Sequence, residues 1–299
     1  MPSFASLTPL ILLASVLTAG VHQVSAISQP HVQIPSVMAN LSRRWSFGKA
    51  TEGPLAFQQR LLKMTAQRAQ EREALIAAAA TFSMRPTVKK NILRTEGQWF
   101  MDSQNKVVIL RGFNLAGDSK IPDFKPLIKD DAKFYIEDLK KTGANVIRLL
   151  WSWEAFQPQN SQSADWSYMK YYRDVIQDLH AANISTIVDV HQDAFSRFVN
   201  RGCGSGFPQW LIPLNAKQYA PRNTLSACKN WGLIMQVDSG LKVAWKAFHA
   251  NQDGMKSAYY NMVEALAVGV KDLEGVIGFD LLNEVCFPCH SARSQCPII

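Results

Sequence analysis

The chain has 299 residues, 47% of them hydrophobic and 19% charged, so it can bury a substantial core as one large domain or two small ones. Its formal net charge of +8 is compatible with acidic partners. There is no Lys/Arg-rich block, zinc-finger spacing or single-strand-binding signature, and nucleic acid is therefore not expected as a partner.

Met1 to Ser42 contains no Lys, Arg, Asp or Glu. The apolar run "LTPLILLASVLTAGV" is followed by "VSA", a small-residue cleavage pattern ending at Ala26. The run falls short of the roughly 20 residues that span a bilayer. A signal peptide over 1–26 is expected, with an uncleaved anchor as the alternative, and the location is then secreted or a lysosome-like secretory compartment. All five cysteines lie from Cys203 onward, and Cys203 and Cys228 bracket a Pro/Gly-rich loop that a disulfide would clip. "NLS" at Asn40 and "NIS" at Asn183 are acceptor tripeptides for glycosylation.

Residues 27–94 read as polar linker followed by a leader helix. "LAFQQRLLKMTAQRAQEREALIAAAATF" is rich in strong helix formers but lacks a sustained heptad. A solvated leader helix is expected there, with packing on the domain as the alternative. The catalytic region is expected over 95–284. "GQWFMDSQNKVVILRGFNLAG" reads as two strands around a polar turn at Asp102–Asn105, the second being "VVILRGFN". "DAKFYIEDLKKTG" reads as a helix capped at Gly143, "ANVIRLLW" as a strand, "SYMKYYRDVIQDLHAAN" as a helix and "ISTIVDVHQD" as a strand. A Gly/Pro-rich loop follows, then helices from Leu241 to Leu273 broken near Asp253–Gly254, then the strand "GVIGFDLLNE".

Four strand–helix units with short, continuously apolar strands predict a parallel sheet buried on both faces. No Gly-rich phosphate fingerprint follows any strand, which argues against a dinucleotide fold. Asn114, Arg148, Trp153, Glu154, Asp189, His191, Asp193, Asn283 and Glu284 cluster just after the strands. In a (β/α)8 barrel those ends converge on one face and build the active site.

"NVIRLLWSWEAFQP", "VDVHQDAFS" and "FDLLNE", in that order, resemble glycoside hydrolase family 5, and "WEAFQP" with "HQDAFS" resembles its endoglycoceramidase-related branch. The resemblance covers the N-terminal half of the family's catalytic barrel. It implies a retaining β-glycosidase of the TIM-barrel class, with only about the first four β/α units in this chain. By resemblance Glu284 is the general acid/base, protonating the departing oxygen and then activating water. Asn283 contacts the sugar 2-hydroxyl, His191 and Arg148 line the cleft, and Lys120, Asp189 and Asp193 grip the first sugar; Trp153 joins the substrate-binding set. The implied substrate is a glycosphingolipid, cut between glycan and ceramide at a membrane surface. A β-glucan is the alternative, and a non-catalytic half-barrel is a third reading. Phe195, Phe198, Phe207, Pro208, Trp210, Leu211 and Ile212 lean towards a lipid groove, with core packing as the competing explanation.

The family's nucleophile sits on its seventh strand, beyond the four read here. The family also has Pro soon after Asn–Glu, where Val285 stands. Residues 285–299 are expected to be an atypical tail, read-through intron or truncation, and the chain as written to be inactive and poorly stable. Val146, Ile187 and Phe279 are then expected to face water. "CFPCH" matches the C-x-x-C-H haem pattern through Cys286, Cys289 and His290, and Cys296 would extend it to a metal cluster. It lacks a surrounding helix or second ligand pair, and no cofactor or metal is expected.

Overall fold

The computed structural model describes residues 54–84, 93–115, 117–127, 132–222 and 228–285. The expected signal peptide, most of the linker and the tail from Cys286, including its haem-like motif, lie outside the described residues. The chain divides into two units, 1–67 and 68–299. In the first, only the start of helix α1 (Pro54–Ala80) is described.

From Arg68 onward α1 is not the solvated helix expected from composition. Leu75 and Ala79, four residues apart on one helical face, are buried in the core of the second unit. Arg72 donates twice to Glu264, and Arg68 and Glu71 share Ser161.

The small strands β1 (Arg94–Glu96), β2 (Trp99–Met101) and β3 (Val107–Val108) form an antiparallel sheet. A second, parallel sheet has the order β4 (Gly112–Leu115), β5 (Val146–Trp151), β6 (Ser185–Val190) and β7 (Val276–Asp280). The expected single strand "VVILRGFN" is therefore two strands in two sheets. Gly112 shows why the second part sits where it does: a Cβ there would lie 1.6 Å from the Val146 carbonyl oxygen. Only glycine allows β4 so close to β5.

Helices connect the parallel strands. α2 (Ala132–Lys141) follows β4, while α3 (Trp153–Phe156) and α4 (Trp166–Ala181) follow β5. Asp165 caps α4 by accepting from the Ser167 and Tyr168 amides. The long loop after β6 leads into α5 (Trp231–Val237), α6 (Ser239–His249) and α7 (Met255–Val270). The break between α6 and α7 falls where the sequence places it, with Asn251, Asp253 and Gly254 all at positive φ. Cys203 and Cys228 are disulfide-bonded, their Cα atoms 5.5 Å apart.

One face of the parallel sheet is sealed by helices: Ile147, Leu149, Trp151, Val188 and Val190 are buried. Trp151 packs on Phe156, Tyr168 and Tyr172. The other face is only partly covered, so the expectation of burial on both faces holds for one. On it, Leu150 and Asp189 are buried, Arg148 and Asp280 are half-exposed, and a Cβ at Gly278 would meet open space. Of the three residues expected to face water, Val146 is buried, while Ile187 and Phe279 are half-buried. Phe279 pairs with Val188, which alternation puts on the helix-covered face. The four parallel strands and their connecting helices make a partial barrel of the TIM class.

Candidate active site

Alternation along the strands decides which side chains reach the open face. Asn114, Arg148, Ile187 and Gly278 stand in one row of paired positions, and Leu150, Asp189 and Asp280 in the next towards the C-terminal ends. A long cation in the lower row thus meets carboxylates in the upper one. The Arg148 Nη2 atom lies 2.5 Å from Asp280 Oδ2, 2.9 Å from Asp189 Oδ1 and 2.9 Å from Asn283 Oδ1. Its Nε atom also donates to Asp280, at 3.1 Å, and Nη1 to Asn114 at 3.3 Å.

The cluster continues through the segment after β6. Asp189 is fully buried, and its Oδ2 atom is 2.8 Å from His191 Nδ1. His191 Nε2 is 3.3 Å from Asp193 Oδ2, and Lys120 Nζ is 2.6 Å from the same oxygen. Lys120 comes from the 3-10 turn after β4. Lys120, Asp193, His191, Asp189, Arg148 and Asp280 therefore form a connected row across the strand ends in which each carboxylate lies between basic side chains or beside one. Burial alone would lower the His191 pKa, but its hydrogen bonds and charge contacts with Asp189 and Asp193 prevail and raise it. For Asp193 burial acts upward, and His191 with Lys120 overcomes it, holding the carboxyl well below the usual range.

A backbone brace holds Asp193 in place. Asp193 and Ser205 exchange both main-chain hydrogen bonds, and the Ser205 hydroxyl donates to Asp193 Oδ2. Gly206 follows, where a Cβ would fall 2.4 Å from the His191 carbonyl oxygen. The loop can close on His191 only with glycine there.

Asn283 and Glu284 follow β7. The Asn283 amide nitrogen donates to the Gln192 carbonyl at 3.0 Å. Gln192, itself buried, donates from Nε2 to the carbonyls of Asn283 at 2.6 Å and Glu284 at 3.0 Å. Its Oε1 atom accepts from the Phe195 amide. Glu284 sits at a φ of 45°, exposed, with no hydrogen bond or ion pair to its carboxylate among the described residues.

The structure thus brings together Lys120, Arg148, Asp189, His191, Asp193 and Asn283, with Glu284 next to Asn283 in the chain. It does not bring Trp153 to them. Trp153 is 1% exposed and packs edge-on against Phe207, Trp210 and Tyr259. Its indole nitrogen is used internally by Gln157. Trp153 opens α3, and that turn directs it into the core. Glu154 is also buried; burial raises its pKa against the opposing pull of Arg197, 2.7 Å away.

The apolar loop is likewise core. Phe195, Phe207, Leu211 and Ile212 are buried, and Phe195 and Phe207 pack with Trp245 and Phe248. They give no groove for a lipid. Two residues absent from the sequence-based set belong to the site, Asp280 and Gln192. A lone acid in the apolar strand "VIGFD" was the available sign for Asp280. Gln192 acts across 91 positions in sequence, and no local pattern marks it.

No helix among the described residues is long and apolar enough to cross a membrane. None of their His, Cys, Asp and Glu side chains form a group of three or more suited to a metal.

Residues 101–288 match the family model described as cellulase, glycosyl hydrolase family 5. A glucosylceramidase of Rhizopus delemar is 26% identical over 246 residues, covering 64% of this chain and 35% of the relative. Endoglycoceramidase I of Rhodococcus hoagii is 28% identical over 213 residues, covering 68% of this chain and 40% of the relative. The chain therefore spans well under half the length of these curated relatives. A crystal structure of an endogalactoceramidase superposes with a TM-score of 0.52 at 23% identity, over 66% of this chain and 45% of that one. At that identity the likeness bears on the fold.

Proposed function

Because the chain belongs to glycosyl hydrolase family 5, we propose that it carries the acid/base side of a retaining β-glycosidase that separates a glycan from ceramide. One observation supports this most: a connected cluster from Lys120 to Asp280 at the strand ends, with the unpaired carboxylate of Glu284 following Asn283. The names of the relatives supply the substrate class.

In this reading Glu284 protonates the glycosidic oxygen and then takes a proton from the attacking water. Asn283, anchored by Arg148 and Gln192, meets the sugar 2-hydroxyl. Lys120, His191 and Asp193 line the sugar side.

Retention needs a second carboxylate about 5–5.5 Å from the acid. Asp189, Asp193 and Asp280 are each engaged by a cation. We propose that the nucleophile lies outside the described residues and that the 299-residue polypeptide alone does not turn over substrate. The site would work within a secretory compartment, at a membrane surface.

The test compares this polypeptide with the product of the complete transcript on glucosylceramide, a longer glycosphingolipid and soluble β-glucan. Intact glycan and ceramide are expected from the latter product only, abolished by Glu284→Gln. Activity confined to β-glucan would move the reading to a glucanase. Turnover by the 299-residue chain, lost in Glu284→Gln, would overturn the proposal about the nucleophile.

A further inference from the structure

We propose that Asn183 carries an N-linked oligosaccharide. The inference goes beyond the glycosidase reading and stands without it.

Asn183-Ile184-Ser185 is an acceptor tripeptide with a permitted middle residue. Such tripeptides arise often by chance, and the structure has to supply the rest. Asn183 lies in the short turn between α4 and β6, with its side chain exposed. The turn is fixed through the main chain: the Asn183 amide donates to the His180 carbonyl, and that of Ile184 to Leu179. No hydrogen bond to the Asn183 side-chain amide is present among the described residues, and the group is free for modification.

The φ of 62° at this position favours Asn over most residues, since left-handed backbone after a helix suits Gly and Asn. That accounts for the Asn alone. It does not account for Ser185, which begins β6 and pairs with Val146 in an internal strand. β-Branched residues are the usual choice there. The Ser185 hydroxyl makes no hydrogen bond among the described residues, so the fold gives it no task. The acceptor tripeptide does.

Position and compartment agree. Asn183 lies just before β6, at the end of the sheet opposite the polar cluster. The strand puts roughly 16 Å between Ser185 and Val190, so the attachment point is removed from the site residues. The Cys203–Cys228 bond is independent of the tripeptide and belongs to an oxidising compartment, where glycan transfer to secretory proteins takes place.

The co-reactant is a lipid-pyrophosphate-linked oligosaccharide. The bond from Asn183 Nδ2 to sugar C1 forms as the bond from C1 to the pyrophosphate breaks. The lipid pyrophosphate leaves with the bonding pair, and the amide nitrogen releases one proton.

The experiment expresses the full chain, with its own N-terminus, in a eukaryotic secretory cell. The expected result is a glycopeptide containing Asn183 by mass spectrometry. An amidase that removes N-glycans should convert that Asn to Asp. Asn183→Gln and Ser185→Ala should each lose one glycan on a gel, whereas Asn40→Gln should leave the Asn183 glycan in place. The use of two variants guards against one that fails to fold, and mass spectrometry of the unmutated chain needs neither. Lumenal or secreted chain with unmodified Asn183 would overturn the proposal. So would chain found only in the cytosol with Cys203 and Cys228 as free thiols.

Discussion

Arg148→Met should destabilise the second unit strongly, and the cost should reside mainly in one of its partners. Arg148 neutralises both Asp189, which is fully buried, and Asp280, whose side chain is 37% exposed. Once the guanidinium is gone, Asp280 can turn towards water, and an ion pair with that much exposure is worth about 0–1 kcal/mol. Asp189 cannot do so. It keeps His191 at 2.8 Å but loses the Arg148 guanidinium. Removing one partner of a buried charge costs up to about 3–5 kcal/mol, with the His191 contact reducing it, against the 5–15 kcal/mol typical of a domain. Urea unfolding followed by tryptophan fluorescence reads the loss as a lower midpoint at constant slope. Asp189→Asn on the Arg148→Met background should recover at least half of it, and Asp280→Asn little. A loss under about 1 kcal/mol would refute the assignment, since it would mean the Asp189 charge was never dependent on Arg148. Recovery by Asp280→Asn in place of Asp189→Asn would show that burial was not the deciding term.

Four further outcomes follow from the structure. His191 has a raised pKa in the folded chain, so its contribution is full below its ordinary value of about 6.5 and is lost as pH rises through the folded value. The stability difference between wild type and His191→Gln should therefore shrink with rising pH in that window; a difference independent of pH would exclude the role. Asp193 is depressed, so its contribution is present above about 3.9 and is lost as pH falls through the lower folded value, a limb that Asp193→Asn should remove. Gln192→Leu removes the shared donor to the carbonyls of Asn283 and Glu284 and leaves the buried Phe195 amide without its acceptor, at about 1–3 kcal/mol for the buried group left unpaired; proteolysis after Asn283 should accelerate, and unchanged protection would argue against the brace. Replacing Cys203 and Cys228 by Ser should lower stability by about 2–4 kcal/mol, measured by the same urea titration.

The parts legible in the sequence share a physical cause. β5, β6 and β7 are short apolar runs flanked by amphipathic helices, and burial against those helices is what the pattern encodes. Most of the polar residues at their ends were legible, because a carboxylate or arginine beside such a run needs a reason to be there; Asp280 at the end of β7 was not. β4 was misread because hydrophobic alternation does not register a chain passing from one sheet to another. The sign available was Gly112, a glycine inside a strand pattern. The aromatic loop 195–212 was misread because composition does not separate a ring that lines a groove from one that fills a core. Trp153 follows β5 as the site residues follow their strands, but the turn of α3 buries it away from them. Distances across the fold decided these cases, and they depend on which strands are neighbours.

The cluster also sorts its carboxylates, and that sorting is the strongest chemical statement the fold makes. Asp193 faces Lys120 and His191, Asp189 faces His191 and Arg148, and Asp280 faces Arg148. Each lies beside at least one cationic side chain, Lys120 for Asp193 and Arg148 for Asp189 and Asp280. Glu284 has no such partner among the described residues, although it adjoins Asn283, which Arg148 does hold. Its backbone is in the left-handed region, a conformation that costs a non-glycine residue of order 1–3 kcal/mol. Gln192 clamps both carbonyls at that point through Nε2 while its Oε1 accepts from the Phe195 amide, so the strain is maintained by a buried side chain anchored at both ends. Three carboxylates at the ends of β6 and β7 are thus tied to cations, while the one after Asn283 stands without such a partner among the described residues.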